Sequence, residues 1–239
     1  MNTHSVSFVI AGYNESENVL QTVKEVWEVL NDNFNEFEII LVDDGSKDNT
    51  LELMKQCKEK YSNIKILENI INVNFGTAVL RGLIASSKEY VVYNAFDLPL
   101  RPEDFVEKFG IMLRNDSDVL VLERENYVCT FWRKITSNVN VILLKVLFPK
   151  LTKGTPILNF TQIYKRSVLE EILPFARSPI FVWPELVFRA KIAGLKVDNI
   201  ITKPYVKNLR KGAFGHPHDI IWGIYEMLRF RIRLWGKSI

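Results

Sequence analysis

Apolar residues along the first half of the chain follow two alternating patterns. Short runs rich in β-branched and aromatic residues predict buried strands at 5–10, 37–42, 64–68, 90–97 and 118–123. Between these runs, apolar residues recur at helical spacing and predict helices at 16–31, 51–61, 75–87 and 101–113. Alternation of strand and helix indicates parallel strands joined by crossover helices. We therefore expect an α/β sheet with helices on both faces.

The second half of the chain is less regular. Its pattern predicts helices at 131–148, 166–173 and 184–194, and extended segments at 158–165 and 195–200. Two helix starts carry local signals. Either Asp48 or Asn49 suits the N-cap of the second helix, and Pro102 suits the first position of the fourth.

Length and charge narrow the class of protein. A chain of 239 residues suits one sizeable domain, and a net charge of +3 gives no reason to expect a nucleic-acid partner. The charge is unevenly distributed, because residues 202–239 contain eight Lys or Arg and two Asp or Glu, whereas the rest is net negative. A basic tail favours an anionic surface or a phosphate-bearing partner, and a solvated helix face is the alternative.

Cysteine usage and the N-terminus bear on the compartment. Cys57 lies on the apolar side of a predicted helix, which indicates a core residue, and Cys129 is far from it in sequence. Neither a disulfide framework nor zinc spacing is present. The N-terminus lacks the basic and apolar regions of a signal peptide, and no run of about 18 apolar residues occurs. We expect a cytoplasmic protein, or one at the cytoplasmic face of a membrane.

Polar side chains follow three of the predicted strands at the point where each strand ends. Tyr13 and Glu15 follow the first strand, Asp43 and Asp44 the second, and Asp97 the fourth. Because ligands bind at the carboxyl ends of parallel strands, we expect these side chains to line one crevice. An oxygen-rich crevice suits ribose hydroxyls, a base edge and a hard cation. Any one of these acids alone is more commonly a cap or turn residue, so the joint pattern carries the inference.

Four motifs occur in the order seen in family 2 glycosyltransferases of the GT-A fold: "VIAGYNESENV", "ILVDDGSKDNT", "NFGTAVLRG" and "NAFDLPLRPEDF". Later segments resemble the polyprenyl-phosphate (dolichol-phosphate mannose-type) synthases of that family: "DVLVLER", "RKITSNVN", "NFTQIYKRSVLEEI", "WPELVFRAKIAGLKV" and "RKGAFG". The resemblance extends from about Ser5 to about Gly215. It implies a GT-A, Rossmann-like, mostly parallel sheet with helices on both faces and a C-terminal helical, basic extension.

The resemblance also implies a donor site. Glu15 and Asp44 would contact the base or ribose of a nucleotide-sugar, and Asp97 would be the metal-binding acid of a DxD motif that takes Mg²⁺ or Mn²⁺. The full set implied for nucleotide and donor binding is Ala11, Tyr13, Glu15, Asp43, Asp44, Arg81, Asn94 and Ala95.

A second group of residues would serve the phosphates and the acceptor. By the same resemblance, Arg124, Arg133 and Ser137 would hold the donor diphosphate or a lipid phosphate. Glu185 would lie near the sugar or the acceptor, and Arg210 would reach over the site from a late loop. We expect Asp97, Glu185 and Arg210 to be the catalytic residues.

The chemistry of sugar transfer agrees with this set. Transfer with inversion is an in-line displacement at the anomeric carbon, and the leaving nucleoside diphosphate accumulates negative charge that a cation or arginines must offset. Arginine suits phosphate because its fork donates two parallel hydrogen bonds. A lipid-phosphate acceptor is already anionic and needs no base. A sugar hydroxyl needs one, and Glu185 is then the candidate.

The sequence departs from the family pattern at the metal motif. Ala95 stands where the family has an acid, and alternation along a strand would turn Ala95 and Asp97 to one face and Asn94 to the other. Because Mg²⁺ keeps several waters, Asp97 with the donor phosphates could suffice, with weakened metal dependence. Gly76-Thr77 also replaces the usual Gly-Lys step, which leaves the nucleotide preference open.

Two histidines offer a further metal hypothesis. His216 and His218 lie two residues apart and could replace the lost acid, or could be exposed loop residues. The segment 216–239 that contains them reads as a basic amphipathic extension of a 1–215 domain, in the same folding unit. Its periodicity fits either a helix or a strand. As a helix it would lie on a membrane surface or pack on the domain.

The sequence thus predicts an inverting glycosyltransferase that moves a sugar from a nucleotide-sugar donor to a membrane-linked acceptor, either polyprenyl phosphate or a lipid-linked glycan. The alternative is a non-catalytic GT-A module that binds a nucleotide or a partner through a degenerate DxD site. A sugar-nucleotide-forming nucleotidyltransferase fits less well, because "AGYNESEN" is not a Gly-rich, Lys-containing loop. The sugar, the nucleotide, the acceptor and the oligomeric state stay open.

Overall fold

The computed structural model describes residues 3–97, 100–124, 131–154, 159–174, 176–178, 180–202 and 217–234, without the side chains of 124, 131–136, 159, 160 and 217–219. The strands within these ranges are β1 (Val6–Gly12), β2 (Phe37–Asp43), β3 (Ile64–Glu68), β4 (Tyr90–Ala95), β5 (Val119–Arg124), β6 (Asn159–Lys165) and β7 (Val197–Thr202). The helices are α1 (Val19–Asn33), α2 (Thr50–Lys60), α3 (Phe75–Ala85), α4 (Pro102–Asn115), α5 (Phe131–Leu147), α6 (Pro149–Thr152), α7 (Arg166–Ile172), α8 (Val182–Ile192) and α9 (Pro217–Arg233).

The strands form one mixed sheet in the order β3-β2-β1-β4-β6-β5-β7. β1 pairs in parallel with β2 on one side and with β4 on the other, and β5 and β7 are also parallel. β6 lies antiparallel between β4 and β5. The carboxyl ends of β1, β2, β4 and β5 therefore lie along the same edge. The predicted GT-A-type, mostly parallel α/β sheet is confirmed.

Alternation along β1 divides the core into two layers. Phe8 and Ile10 face the layer that contains α1, α2 and α4, and Val9 and Ala11 face the layer that contains α3, α5, α8 and α9. All seven residues of β1 are buried, as expected for a central parallel strand covered on both faces.

Two predicted boundaries that lie beside the crevice were wrong. α1 begins at Val19 and not at residue 16, because residues 15–18 form a turn in which the Asn18 amide donates to the Glu15 carbonyl (2.8 Å). β4 ends at Ala95 and not at residue 97, because the Asn94 side-chain amide donates to the Leu100 carbonyl (2.7 Å) and closes a loop. Asp97 therefore lies in a turn, where strand alternation does not set its direction.

Three local predictions concern the N-cap of α2, the start of α4 and the burial of Cys57. Asp48 supplies the side-chain cap of α2 by accepting from the Thr50 amide (3.0 Å), whereas Asn49 makes no side-chain cap bond. Pro102 opens α4, and Cys57 is buried, as predicted.

The described part of the C-terminal segment, 217–234, contains a helix, α9, and not a strand. Met227, Phe230 and Leu234, spaced three and four residues apart, belong to the same core layer as α3 and α8. Packing on this core selects the helical period where the sequence alone fits both periods. Within the described residues, no helix has the length and apolar character needed to cross a bilayer.

Two helical glycines give opposite expectations for stability. A Cβ on Gly82 in α3 would overlap Val9 Cγ1 and lie 3.1 Å from Val42 Cγ2, whereas on Gly110 in α4 it would meet only Arg114 Nη1 at 3.5 Å. We expect Gly82→Ala to destabilise the fold by about 1–3 kcal/mol through overpacking. Gly110→Ala should stabilise it by about 0.5–1 kcal/mol, because alanine loses less backbone entropy. Urea unfolding of both variants measures this, and equal effects would contradict the packing of α3 on the sheet.

Candidate active site

Three strand ends meet at the centre of the sheet. In the parallel registers, Gly12 lies beside Asp43 of β2, and Ala11 lies beside Ala95 of β4. The chain leaves β1 toward β2 on one side and returns to β4 on the other, so this is the topological switch point. Open α/β sheets bind ligands at such a point. The structure thus brings together the predicted residues Ala11, Asp43, Asp44 and Ala95.

The carboxylate of Asp44 is held between the ends of β2 and β3. Its Oδ1 accepts hydrogen bonds from the Asn69 side-chain amide (2.8 Å) and from the Val73 backbone amide (2.9 Å). The residue is 2% exposed. Burial raises the pKa of the Asp44 carboxyl above its ordinary value of 3.8, although hydrogen bonds from Val73, Asn69 and Asn74 lower it. Asp44 is therefore an oriented acceptor whose charge costs folding free energy.

The sequence analysis did not identify Asn69, which Arg81 contacts in the structure. The exposed Arg81 guanidinium donates to the Glu68 carbonyl (2.6 Å) and to Asn69 Oδ1, so it orients the amide that holds Asp44. Asn69 directly follows β3, and the rule that found the other strand-end residues would have found it as well. Whether Arg81 also touches a donor stays a prediction.

Asp43 has one satisfied and one unsatisfied oxygen. Oδ2 accepts from the Ser46 amide (3.2 Å), and the buried Oδ1 has no hydrogen-bond partner among the described residues. A buried acceptor of this kind is costly unless a ligand donor completes it. The orphan oxygen therefore fits a role in ligand binding.

The loop after β1 carries Tyr13 and Glu15. Tyr13 is exposed at the rim of the crevice, and Glu15 is half-buried. Glu15 Oε2 accepts from the Asn18 side chain (2.7 Å), while its backbone amide donates to Thr50 Oγ1 (2.7 Å). The first contact fixes the carboxylate, and the second ties the loop to the start of α2.

Two glycines let the loops approach closely. Gly45 has φ of +73°, and a Cβ there would lie 2.6 Å from the Ile71 backbone carbon. A Cβ on Gly12 would lie 2.6 Å from Phe96 Cδ2 and 2.8 Å from Glu15 Cγ. The glycines of "AGYN" and "DDGS" therefore serve the close approach that forms the crevice.

The predicted metal motif contains a single acid. Asp97 is half-buried in the β4–α4 turn, and Ala95 supplies no ligand. Asn94 is no substitute, because it is buried, its amide donates to Leu100 and its Oδ1 accepts from the Ala95 amide (3.1 Å). Among the described residues, no group of three His, Cys, Asp or Glu side chains could hold a metal ion. This donor set fits a hard cation only if phosphate and water oxygens complete the shell.

Glu185 lies in the first turn of α8, where it is buried and paired with Arg189. Its Oε1 accepts from Arg189 Nε and its Oε2 from the Ala176 amide, both at 2.8 Å. The residue is 1% exposed, and it lines a small cavity with Glu226 and Arg229 of α9. The bond from Ala176 holds the segment before α8 against the first turn of α8.

The first turn of α8 reaches the sheet through Trp183. Its ring stacks on Tyr93 of β4 with centroids 4.4 Å apart. Gly76 allows this approach, because a Cβ there would lie 3.0 Å from Val182 Cγ1. Asn74 caps α3 by accepting from the Thr77 amide (3.1 Å), so "NFGT" forms a helix start at this junction.

The predicted phosphate-binding residues are only partly described. Arg124 ends β5 at the same sheet edge as Asp43, and Ser137 is half-buried in α5. The side chains of Arg124 and Arg133 lie outside the described residues, as do Arg210, His216 and the side chain of His218. Their roles stay predictions.

Comparison with solved structures supports the fold. Glucosyl-3-phosphoglycerate synthase from Mycobacterium tuberculosis, in complex with Mn²⁺, UDP and glucosyl-3-phosphoglycerate, superposes with a TM-score of 0.67 and 18% identity over 99% of this chain and 82% of that one. TarS residues 1–349 from S. aureus give a TM-score of 0.64 and 18% identity over 98% and 66%. The molecule is thus an α/β protein of the GT-A class, with its polar site at the switch point.

Sequence comparison then identifies the family. The model of glycosyl transferase family 2 matches residues 7–173, and the chain belongs to that family. Dolichol-phosphate mannosyltransferase from Pyrococcus furiosus is 28% identical over 98% of this chain and 65% of its own length. Undecaprenyl-phosphate 4-deoxy-4-formamido-L-arabinose transferase from Proteus mirabilis is 28% identical over 59% of this chain and 44% of its own. The chain therefore spans less than two thirds of these relatives.

Because the charge of Asp44 is buried, we expect Asp44→Asn to raise the free energy of unfolding by an amount that depends on pH. Because the pKa of Asp44 is higher in the folded protein than in the unfolded chain, its contribution to stability is complete below 3.8 and is lost as pH rises through the folded pKa. The asparagine variant escapes this loss. Its free energy of unfolding relative to wild type should rise with pH and then level off. Urea unfolding between pH 4 and pH 8, with exposed Asp32→Asn as the control, measures it. A difference that falls with pH would contradict the assignment.

Proposed function

We propose that the protein is an inverting glycosyltransferase that moves a sugar from a nucleotide-sugar to the phosphate of a membrane-linked polyprenyl carrier. One observation carries the proposal: a buried, oriented carboxylate, Asp44, lies at the switch point of a family 2 sheet. The acceptor class is supported by two relatives whose names specify dolichol phosphate and undecaprenyl phosphate. Such an acceptor supports a position of the enzyme at a membrane surface.

The proposed sugar transfer needs no general base. An anionic oxygen of the acceptor phosphate attacks the anomeric carbon, and the bond from that carbon to the donor diphosphate breaks. The diphosphate leaves with the electron pair on the opposite face, so the configuration inverts. Because no proton is lost from the attacking atom, the site needs charge stabilisation and not proton transfer.

The contacts of Glu185 favour a phosphate acceptor over a glycan hydroxyl. A hydroxyl would require a base that can take its proton, and Glu185 was the candidate. Both of its oxygens already accept hydrogen bonds, one of them within an ion pair to Arg189. We assign Glu185 to positioning the start of α8, which leaves the attack to an oxygen that is already charged.

The proposed metal is Mg²⁺ or Mn²⁺ held by Asp97 with the donor diphosphate. Mn²⁺ and UDP occur together in a solved GT-A neighbour, which supports this choice. The bound cation would offset the charge of the leaving diphosphate. Asp43 and Asp44 would hold the nucleoside, and Arg124, Arg133 and Ser137 would hold phosphates.

Ala95 supports a second candidate, a GT-A module that binds a nucleotide without catalysis. It removes one carboxylate from the metal motif, and metal-assisted departure of the diphosphate depends on that motif. Nucleotide binding without transfer would favour this candidate.

A thermal-shift screen tests donor binding. Nucleoside diphosphates and nucleotide-sugars, with and without Mn²⁺, should include one ligand that raises the unfolding midpoint, because ligand binding to the folded state stabilises it. Asp44→Asn should abolish that shift, and the control Asp32→Asn should retain it. Absence of a shift with every nucleotide in the presence of Mn²⁺ would contradict the proposed donor site.

Restoring the second acid tests the metal assignment. We expect Ala95→Asp to lower the Mn²⁺ concentration needed for half-maximal donor binding roughly tenfold, because an added carboxylate ligand strengthens a hard-cation site. Ile70→Asp adds the same charge at an exposed position in the loop after β3 and should change little. Titration of Mn²⁺ at a fixed nucleotide concentration measures the half-maximal Mn²⁺ concentration of both variants. Equal decreases in the two variants would mean that the added negative charge, and not a new metal ligand, causes the effect.

A further inference from the structure

The inner face of α9 fixes its orientation on the protein. Phe230 packs with centroids 5.6 Å from Phe148 and 5.7 Å from Phe181. Glu226 accepts from the Arg177 and Ser178 backbone amides, both at 2.9 Å. A Cβ on Gly223 would lie 3.1 Å from Ile180 Cβ, so the helix contacts this segment closely. Because the inner face is anchored in these ways, the residues on the opposite face point outward.

The outer face of α9 carries an apolar row. Ile221, Tyr225, Leu228 and Ile232 are spaced four, three and four residues apart and are between 47% and 69% exposed. At about 100° per residue, this row lies opposite the buried row of Met227, Phe230 and Leu234. An uncovered apolar row of this length marks an interaction surface more often than a solvated one.

The neighbouring helix repeats the pattern. α5 contacts α9, and its inner side contributes Leu144 to the same core layer. Val139, Ile142 and Val146 are spaced three and four residues apart on its outer side and are between 45% and 71% exposed. We refer to these three residues and the four of α9 as the α5–α9 outer face.

The charges beside this face are positive. On α9, Arg231 lies on one side of the apolar row, and Arg229 and Arg233 lie on the other. Lys145 is exposed beside the row of α5, and the α5 sequence contains no acid. Glu226 turns inward to the backbone at 177–178, so its charge is not presented on the outer row.

We propose that the α5–α9 outer face docks on the headgroup region of an anionic lipid bilayer. Aliphatic rows with a tyrosine, flanked by arginine and lysine, match an interface in which apolar side chains enter the acyl boundary and cations reach lipid phosphates. A protein partner would need an acidic rim around an apolar centre. The cations therefore select the bilayer, whose surface supplies negative charge without a specific partner. The inference agrees with the proposed lipid acceptor, but the docking itself needs no donor.

Docking through this face would also orient the candidate active site. α9 holds the 176–178 segment, which leads into α8, and Trp183 of α8 stacks on Tyr93 of β4. The contacts from the outer face to the switch point are therefore continuous packing and hydrogen bonds. A bilayer bound to α5 and α9 would lie at a fixed position relative to the strand ends.

Vesicle co-sedimentation of the full chain tests the apolar contribution. We expect binding to phosphatidylcholine vesicles that contain phosphatidylglycerol. The double variant Leu228→Gln/Ile232→Gln should lower the partition coefficient by roughly tenfold or more, because two aliphatic side chains no longer enter the interface. The matched control Leu20→Gln/Ile84→Gln removes two exposed aliphatic residues of α1 and α3 and should bind as wild type.

A charge-matched pair tests the cationic contribution. Arg231→Gln/Lys145→Gln should weaken binding to the phosphatidylglycerol vesicles roughly thirtyfold, since each basic residue near an anionic surface contributes about 1 kcal/mol. The same variant should bind phosphatidylcholine alone as wild type does. Lys58→Gln/Lys60→Gln on α2 removes the same charge elsewhere and should leave binding to both kinds of vesicle unchanged.

Three results would overturn the proposal. The first is absence of binding to anionic vesicles, and the second is a loss of vesicle binding in the matched controls equal to that in the test variants. The third is a wild-type dimer in light scattering that Leu228→Gln/Ile232→Gln converts to a monomer. In that case a second copy of the chain would cover this face. Thermal midpoints without vesicles confirm that each variant is folded. The nucleotide-induced shift is measured on the same samples, so failure of the donor site and failure of docking are distinguishable.

Discussion

The hydrogen bonds that hold the Asp44 carboxylate determine how the candidate site is built. Asn69 and Val73 lie in the loop after β3, so this carboxylate fastens that loop to the end of β2. Arg81 orients Asn69 from α3. The close approach of the two loops in turn requires Gly45, which has no space for a Cβ. Removing the carboxylate would relieve a buried charge, and it would also remove the acceptor that organises the loop.

A stability cost at this position is what a binding site requires. Burial raises the pKa of Asp44, so its ionised form opposes folding at neutral pH. The adjacent Asp43 leaves one buried oxygen without a partner among the described residues. A buried carboxylate whose charge opposes folding and an adjacent buried oxygen without a partner among the described residues are poor choices for stability alone. A ligand that donates hydrogen bonds to them would recover the lost interactions.

The sequence was informative wherever short-range rules apply. Local preferences predicted the polar residues after the strands, the glycine turns and Pro102, and the order of motifs pointed to the family. Asn69 obeys the same rule and was simply not considered. The environment of Glu185 could not be read from sequence, because it depends on Ala176 and on α9, which is distant along the chain. The period of α9 was ambiguous for the same reason, since packing of Met227 and Phe230 decides it.

We propose that the acceptor oxygen is already charged, so that no protein base is needed. The most direct measurement compares transfer of a labelled sugar to a short polyprenyl phosphate and to the corresponding polyprenol, with the donor found by the nucleotide screen. We expect a glycosylated product from the phosphate and none from the alcohol. Transfer to the alcohol at a comparable rate would contradict it, because that reaction requires a base.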